Sequence, residues 1–268
     1  MCVRPAAVAG TFYPADANEL AAEVDALLDS AASVARATPA HPVAVIAPHA
    51  GHRFSGRCAA AAYTLFDPQR VRRIVLTGPT HRVGIGAAAL SGDDWFETPL
   101  GRVRVDAELQ EIALDHPAVV VAPPVHAQEH SLEVHLPFLQ RRFPTASVLP
   151  VAVGDVPPAE VASLLDALMV DDETVCITSS DLSHFETAEQ AARHDRGTID
   201  RILALDPTLT GHDACGVRPV NGLLEFAKQR ALSAREVAYY HSGDTPWGGR
   251  DRVVGYTSIA FEPTSTNE

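Results

Sequence analysis

The fold is decided by a short apolar segment, residues 43–51, which reads VAVIAPHAG. Its β-branched run has the length of a strand covered on both faces, and the run ends at Pro48 and His49. A helical pattern follows from Ser55 to about Phe66, and the strand pattern then returns as RRIVLTGPTH at 72–81. A strand, a helix and a second buried strand in this order predict a parallel pair in an α/β protein.

The alternation continues outward from this unit. Further strands are predicted at 119–122, 147–154 and 174–181, and helices at 16–29, 106–114, 137–143, 157–169 and 187–204. Residues 235–243 and 252–262 are predicted as two strands that add antiparallel edges. We therefore expect one mixed α/β domain over residues 1–268, with a largely parallel sheet flanked by helices and a disordered tail at about 263–268.

Composition excludes several classes of protein. The 268 residues include 34 acids and 21 bases, for a net charge of −13, and Lys228 is the one lysine. Because binding to nucleic acid requires clustered basic side chains, nucleic acid is not an expected partner. Neither a signal peptide nor a long apolar run is present, and the four cysteines form no CxxC pair. We expect a cytoplasmic protein that does not enter a membrane.

Polar side chains follow three of the predicted strands. His49 and His81 each follow a buried run, and Asp181 with His184 follows a third. In open α/β sheets, ligands bind beyond the carboxyl ends of the strands. One such histidine alone is more often a hydrogen-bonded structural residue, whereas three equivalent positions favour a functional crevice. The chain has 12 histidines, and histidine is the commonest metal ligand.

The segment SSDLSH, residues 179–184, is predicted to form a helical turn that places Asp181 and His184 on one face. The carboxylate would then orient the imidazole, as suits a general base. In the alternative interpretation, Asp181 and the two serines before it are only the N-cap of a helix.

The segment EHSLEVHLPF, residues 129–138, contains two histidines and two glutamates. His130 and His135 would lie roughly 140° apart on a helix and so are not both expected to bind one ion. Glu129 and His130 are predicted to belong to the pocket, and the other polar residues to a solvated face. The apolar stripe that packs inward is Leu132, Leu136, Leu139 and Phe143.

Cys215 lies in HDACGVRP, just before a helix predicted to start near Pro219. A helix N-terminus lowers the pKa of a nearby thiol and favours a thiolate that binds metal or attacks carbon. Cys58 and Cys176 are predicted to be buried apolar residues. Histidines expected in loops or on polar faces, with no chemical role, are His41, His116, His126, His194 and His212.

The chain resembles the MEMO family, whose microbial members are called AmmeMemoRadiSam system protein B. The resemblance covers nearly the whole chain and rests on RPAAVAGTFYP, IAPHAGHRFSG, LTGPTH, EHSLEVHLPF, SSDLSHF and ACGVRP. It implies a fold similar to the αββα core of the class III extradiol dioxygenases. Two positions depart from the usual pattern: His52 stands where a tyrosine is usual, and Phe12 stands where some members have tryptophan.

The resemblance also implies a site. The metal pocket would be lined by His49, His81 and Cys215. Asp181 and His184 would be the acid/base pair, and Phe12 would form part of the pocket wall.

Our leading hypothesis is therefore a dioxygenase-like redox enzyme that binds a metal, most simply Fe(II), and acts on an unidentified small molecule. A thiolate ligand also suits Cu(I) or Zn(II). The alternatives are a non-catalytic iron- or copper-binding protein or signalling adaptor, and a metal-dependent hydrolase. The family name further implies AMMECR1-like and radical SAM proteins as partners.

Overall fold

The computed structural model describes residues 2–36 and 42–264. The strands in this part of the chain are β1 (Val3–Arg4), β2 (Ala44–Ala47), β3 (Arg73–Pro79), β4 (Ala88–Leu90), β5 (Trp95–Thr98), β6 (Gly101–Arg104), β7 (Val119–Val121), β8 (Ser147–Val153), β9 (Thr174–Ser179), β10 (His184–Glu186), β11 (Leu232–His241) and β12 (Val253–Pro263). The α-helices are α1 (Ala17–Arg36), α2 (His52–Tyr63), α3 (Ala107–Leu114), α4 (Pro123–His126), α5 (Leu136–Arg142), α6 (Pro158–Leu168), α7 (Ala188–Leu203) and α8 (Val217–Gln229).

The main sheet has a parallel centre in the order β2, β9, β3, β8. Ala47 pairs with Ser179, and Thr77 pairs with Thr178, so β2, β9 and β3 end at the same edge of the sheet. Antiparallel strands extend both sides: β12 pairs with β2, and β4 pairs with β8. The predicted mixed, largely parallel α/β fold is confirmed. A small second sheet contains β1, β5 and β6.

Most predicted elements are present, with shifted ends. Helix α1 begins as predicted, because Asp16 Oδ1 accepts the backbone N–H groups of Asn18 and Glu19 at 2.9 Å, but the helix continues to Arg36 instead of ending at residue 29. Helix α2 starts at His52, earlier than Ser55. The short strands β1, β4, β5, β6 and β10 were not predicted, because two to four residues carry little periodicity.

The predicted helical turn over residues 181–184 is wrong. The backbone N–H of Ser180 donates to Ala47 O at 3.0 Å, and that of Leu182 donates to Gly255 O at 2.9 Å. These bonds to neighbouring strands keep the segment extended, and it leads into β10. Within β10, Phe185 has a φ of 63°, a left-handed conformation that is unfavourable for a bulky residue.

The main hydrophobic core extends from Val8 to Phe261, and a small second cluster contains Ala188, Ala191 and Val253. Helices α1, α2 and α5 pack together, and α6 packs against α8. At the second contact a Cβ on Gly222 would lie 2.2 Å from Val161 Cγ1, so only glycine permits this approach. The stripe predicted in 129–143 is buried, as are Cys58 and Cys176, which confirms these assignments.

Two predictions fall partly or wholly outside the described residues. His41 lies outside them, and so do residues 265–268 of the predicted tail. Residue 263, by contrast, is the last residue of β12. No helix in the described ranges is both long and apolar enough to cross a membrane.

Candidate metal centre

A group of imidazoles lies where β2, β9 and β3 end. His49 follows β2 and is buried, and His81 follows β3 and is 28% exposed. Strand β9 lies between these two strands and ends at Ser179. The parallel register therefore brings together residues that are far apart in sequence.

The ring of His49 has one tautomer fixed by its neighbours. Its Nδ1 lies 2.6 Å from Ser179 Oγ, and Ser179 Oγ donates to Ser131 O at 2.7 Å. A hydroxyl has a single proton, so this bond leaves Ser179 as the acceptor for the Nδ1–H of His49. Burial, followed by the charge of His81, holds the pKa of His49 well below its usual value. At neutral pH, His49 is thus uncharged with a lone pair on Nε2.

His81 is fixed in the same tautomer by Glu129. Glu129 Oε1 accepts from His81 Nδ1 at 2.9 Å, and Oε2 accepts the His81 backbone N–H at 2.5 Å. The backbone N–H groups of His130 and Ser131 also donate to this carboxylate. Burial alone would raise the pKa of Glu129, but the hydrogen bonds from His81 and the backbone lower it to about 2. Because a carboxylate only accepts, Nδ1 carries the proton in the neutral His81 imidazole, and the lone pair of that form lies on Nε2.

His130 completes the group. Its ring stacks on His81 with centroids 4.6 Å apart, and the rings of Phe12 and His49 lie 4.6 and 5.4 Å away. Nδ1 of His130 is buried, lies 3.4 Å from Glu129 Oε1 and makes no hydrogen bond within the described chain. Ligand atoms of His49, His81 and His130 all lie within 4.8 Å of one another. The sequence predicted His130 only as a pocket residue, whereas the structure places it in a group that can hold a metal ion.

Cys215 contacts this group through His49. Its Sγ lies 3.2 Å from His49 Nε2, and the backbone N–H of Asp181 donates to the same sulfur at 3.3 Å. A Cβ on Gly216 would lie 2.4 Å from Ser179 O, so glycine permits the loop to pack this closely. The predicted lowering of the thiol pKa is wrong: burial, and then the charge of Asp181, raises the pKa of Cys215.

Asp181 and His184 make separate hydrogen bonds, each to a different part of the chain. Asp181 is buried, and its Oδ1 accepts the backbone N–H of His49 at 2.8 Å, while burial raises the pKa of Asp181 to about 6. His184 is exposed, and its Nδ1 donates to Leu182 O at 2.8 Å. Asp181 therefore positions the His49 loop, and His184 lies at the rim.

Three polar residues predicted on solvated surfaces are buried. His126 Nε2 donates to Ala89 O at 2.8 Å, and Glu133 accepts from Arg4 and from the hydroxyl of Tyr13. His135 Nδ1 is bonded to the hydroxyl of Tyr63. Each partner is remote in sequence, so local patterns gave no sign of it. Burial lowers the pKa of His126 to about 4 and that of His135 to about 3.

Comparisons with known proteins identify relatives over nearly the whole chain. Residues 4–260 match the family model described as Memo-like protein. A MEMO1 family protein of Aquifex aeolicus is 37% identical over 97% of this chain and 100% of its own length. MEMO1 family proteins of Thermoplasma volcanium and Methanosarcina mazei are 32% and 34% identical, over 96% and 98% of this chain and 97% and 100% of their own lengths. The resemblance to the MEMO family is confirmed.

Proposed function

This chain belongs to the Memo-like protein family, and from that premise we propose that it is a metal-binding redox protein of the non-heme iron type. Its substrate would be a small molecule that reaches the pocket beyond β2, β9 and β3. The proposal rests on two hydrogen bonds, from His49 Nδ1 to Ser179 and from His81 Nδ1 to Glu129. Both bonds place the lone pair of the neutral ring on Nε2, the atom that would bind a metal; at His49 the Cys215 thiol, 3.2 Å away, would move aside or lose its proton.

These bonds fit a metal site because metal-binding imidazoles usually donate their other N–H to a carboxylate or another oxygen. His130 offers a third imidazole, whose buried Nδ1 has no hydrogen-bond partner in the described chain. We propose His49, His81 and His130 as the primary ligand set, with Cys215 as the alternative third ligand. The set with Cys215 requires the thiol, which is bonded to His49 Nε2, to lose its proton.

The donors suit Fe(II), and with the thiolate also Cu(I) or Zn(II). A redox metal bound here would supply electron transfer or O₂ chemistry. The chain itself would supply binding and proton transfer. Phe12 would form a wall beside His130, and Asp181 would hold the His49 loop through its backbone N–H.

His184 is the proposed proton carrier. Its Nδ1–H is held by the carbonyl of Leu182, so Nε2 is the nitrogen available to take a proton from a small molecule or return it. Its exposure at the rim suits exchange with solvent.

A carrier of iron or copper without turnover is the second candidate. It is favoured by the sulfur of Cys215 beside His49, since a soft donor retains Cu(I) well. A carrier needs no proton carrier at the rim, so the two functions differ in their demand on His184.

Metal analysis after anaerobic loading with Fe(II) tests the site. We expect one iron in the pocket of each wild-type chain, and loss of that iron in His49→Ala and His81→Ala. His130→Ala and Cys215→Ser identify the third ligand, because only the variant that lacks it should bind weakly. His116→Ala is the matched control, since His116 lies outside the pocket. Full iron binding by His49→Ala would contradict the proposal.

Oxygen uptake with a panel of small phenols and catechols tests the redox function. We expect His184→Ala to keep its iron and to lower kcat more than about 100-fold, the usual contribution of a positioned acid or base. Tight copper binding with no turnover, and with no effect of His184→Ala, would instead favour the carrier.

A further inference from the structure

A second group of imidazoles and carboxylates lies outside the pocket. Glu186 ends β10, His194 lies in α7, and His212 lies in the loop before α8. One ligand atom from each of these side chains lies within 4.8 Å of the others. The sequence assigned no chemical role to His194 or His212, because neither follows a central strand.

His194 lies between two carboxylates. Its Nδ1 is 2.8 Å from Glu186 Oε1, and its Nε2 is 3.7 Å from Asp213 Oδ1. The His212 ring stacks on the His194 ring, with centroids 4.5 Å apart and an interplanar angle of 28°. Glu186 and His194 are 25% and 17% exposed, so an ion from solution can reach them.

Hydrogen bonds to one of its two carboxylate oxygens hold the Asp213 side chain in place. The backbone N–H and hydroxyl of Thr210 donate to Oδ2 at 2.7 and 2.8 Å, and Arg201 donates to the same oxygen at 3.2 Å. Burial works against ionisation of Asp213, but the hydrogen bonds from Thr210 outweigh it and lower the pKa. The hydrogen bonds to Asp213 from the described residues all reach Oδ2, so Oδ1 remains available beside His194.

We propose that Glu186, His194 and His212, with Asp213 at their side, form a second binding site for a divalent cation of the Zn(II) class. Two imidazoles and carboxylates form a nitrogen and oxygen donor set typical of zinc, whereas magnesium and calcium prefer oxygen ligands alone. The negative charge of the two carboxylates adds to the attraction. Arg201 opposes the cation only partly, because it is also paired with Asp206 at 2.8 Å.

Cation binding requires a modest contraction of the cluster. Tetrahedral bonds of about 2.0–2.1 Å place ligand atoms roughly 3.3 Å apart, and the three atoms here lie within 4.8 Å. The side chains of Glu186, which is partly exposed, and His212, which is exposed, can close this gap by rotation. The proton that His194 now donates to Glu186 from Nδ1 would move to Nε2, beside Asp213 Oδ1, so that Nδ1 offers its lone pair to the cation.

Zinc titration of the full chain, followed by calorimetry, tests the proposal. If the pocket also takes zinc, the wild type should bind two ions per chain, His212→Ala one and His49→Ala one. In the double variant His49→Ala, His81→Ala, we expect one ion to remain, and its affinity to fall more than about ten-fold when His212→Ala is added. His116→Ala is the control and should change neither value.

The two proposals fail in different ways. Unchanged metal binding by His49→Ala and His81→Ala, together with loss of an ion in His212→Ala, would overturn the pocket site alone. Equal zinc binding by His212→Ala, His194→Ala and the wild type would overturn the second site and leave the pocket untouched. Because His212 is exposed, its substitution should not prevent folding. Equal competition by calcium would also overturn the proposal, since it would indicate a site of oxygen ligands.

Discussion

The two imidazole clusters are built in opposite ways. In the pocket, the bonded residues come from distant parts of the chain, such as Cys215 and His49, which are 166 positions apart. The surface cluster is made by residues 186–213, and its side chains are partly exposed. The pocket fixes the tautomers of two rings before any ion arrives, whereas the surface cluster must contract around its ion. Hydrogen bonds to the second ring nitrogen, more than proximity of the rings, therefore distinguish a preorganised site.

Replacing the carboxylate in each cluster should give the largest difference between the two clusters in the free energy of unfolding. Glu129→Ala removes the acceptor of four N–H groups and should lower the free energy of unfolding by about 3–5 kcal/mol, the cost of breaking a buried charged network. Glu186→Ala removes one partly exposed partner and should cost less than about 1 kcal/mol. Urea denaturation without metal measures both. Equal losses would contradict the difference in preorganisation.

Acid should destabilise the chain mainly through its buried imidazoles. The pKa of His126 is 6.5 when unfolded and about 4 when folded, so the unfolded state binds more protons between these values. The free energy of unfolding therefore falls as the pH is lowered from 6.5 to 4, by up to about 3 kcal/mol for this residue. Asp181, whose pKa is raised, works in the opposite direction between 3.8 and about 6. Urea denaturation at pH 7 and pH 5 measures the slope.

The dependence of the free energy of unfolding on pH should become shallower in His126→Gln and stay unchanged in His116→Gln. Identical slopes for all three proteins would show that His126 is not the buried group that titrates.

Two glycines offer a matched pair beside the two clusters. A Cβ at Gly216, next to Cys215, would lie 2.4 Å from Ser179 O, while a Cβ at Gly211, next to His212, meets no atom within 4 Å. Gly216→Ala should therefore lower the free energy of unfolding by about 1–3 kcal/mol and weaken metal binding in the pocket. The free energy of unfolding of Gly211→Ala should be within about 0.5 kcal/mol of that of the wild type. Thermal unfolding and iron binding measure both, and a harmless Gly216→Ala would disprove the close approach.

The smallest change in stability is expected from a substitution in β10, the strand with His184 at one end and Glu186 at the other. Phe185 has a left-handed backbone, which asparagine tolerates better, but its ring contacts Arg252 at 4.9 Å. Phe185→Asn should raise the free energy of unfolding by less than about 1 kcal/mol, because relief of backbone strain exceeds the lost contact. Trp247→Asn, at a similarly exposed aromatic residue with ordinary φ, should give no increase. A loss in Phe185→Asn would show that the ring contact dominates.

The sequence was sufficient for the elements that create the pocket edge. The β-branched runs of β2 and β3 and the histidines after them predicted that His49 and His81 would lie close together at one edge of the sheet. The N-cap at Asp16 was also readable, because it depends on residues two and three positions away. These features are local, and local chemistry determines them.

The remaining features depend on partners far along the chain. His126, Glu133 and His135 were assigned to the surface because their neighbours in sequence do not reveal Ala89, Arg4 or Tyr63. The thiol pKa of Cys215 was predicted from the helix that follows it, but burial against the β9 end has the larger effect. The catalytic role of His184, the native metal, and the AMMECR1-like and radical SAM partners stay predictions.

The position of β12 has a consequence for how the molecule is made. This strand, one of the last segments of the described chain to be synthesised, pairs with β2, one of the first. At about 5–20 residues per second, the roughly 200 residues between them take about 10–40 s to translate. During that time β2 lacks this partner, and β9 is also made late. In a nascent chain, β2 therefore stays without its β12 partner until about 200 further residues have been added, and His49 acquires Ser179, Asp181 and Cys215 only after residue 215 has been translated.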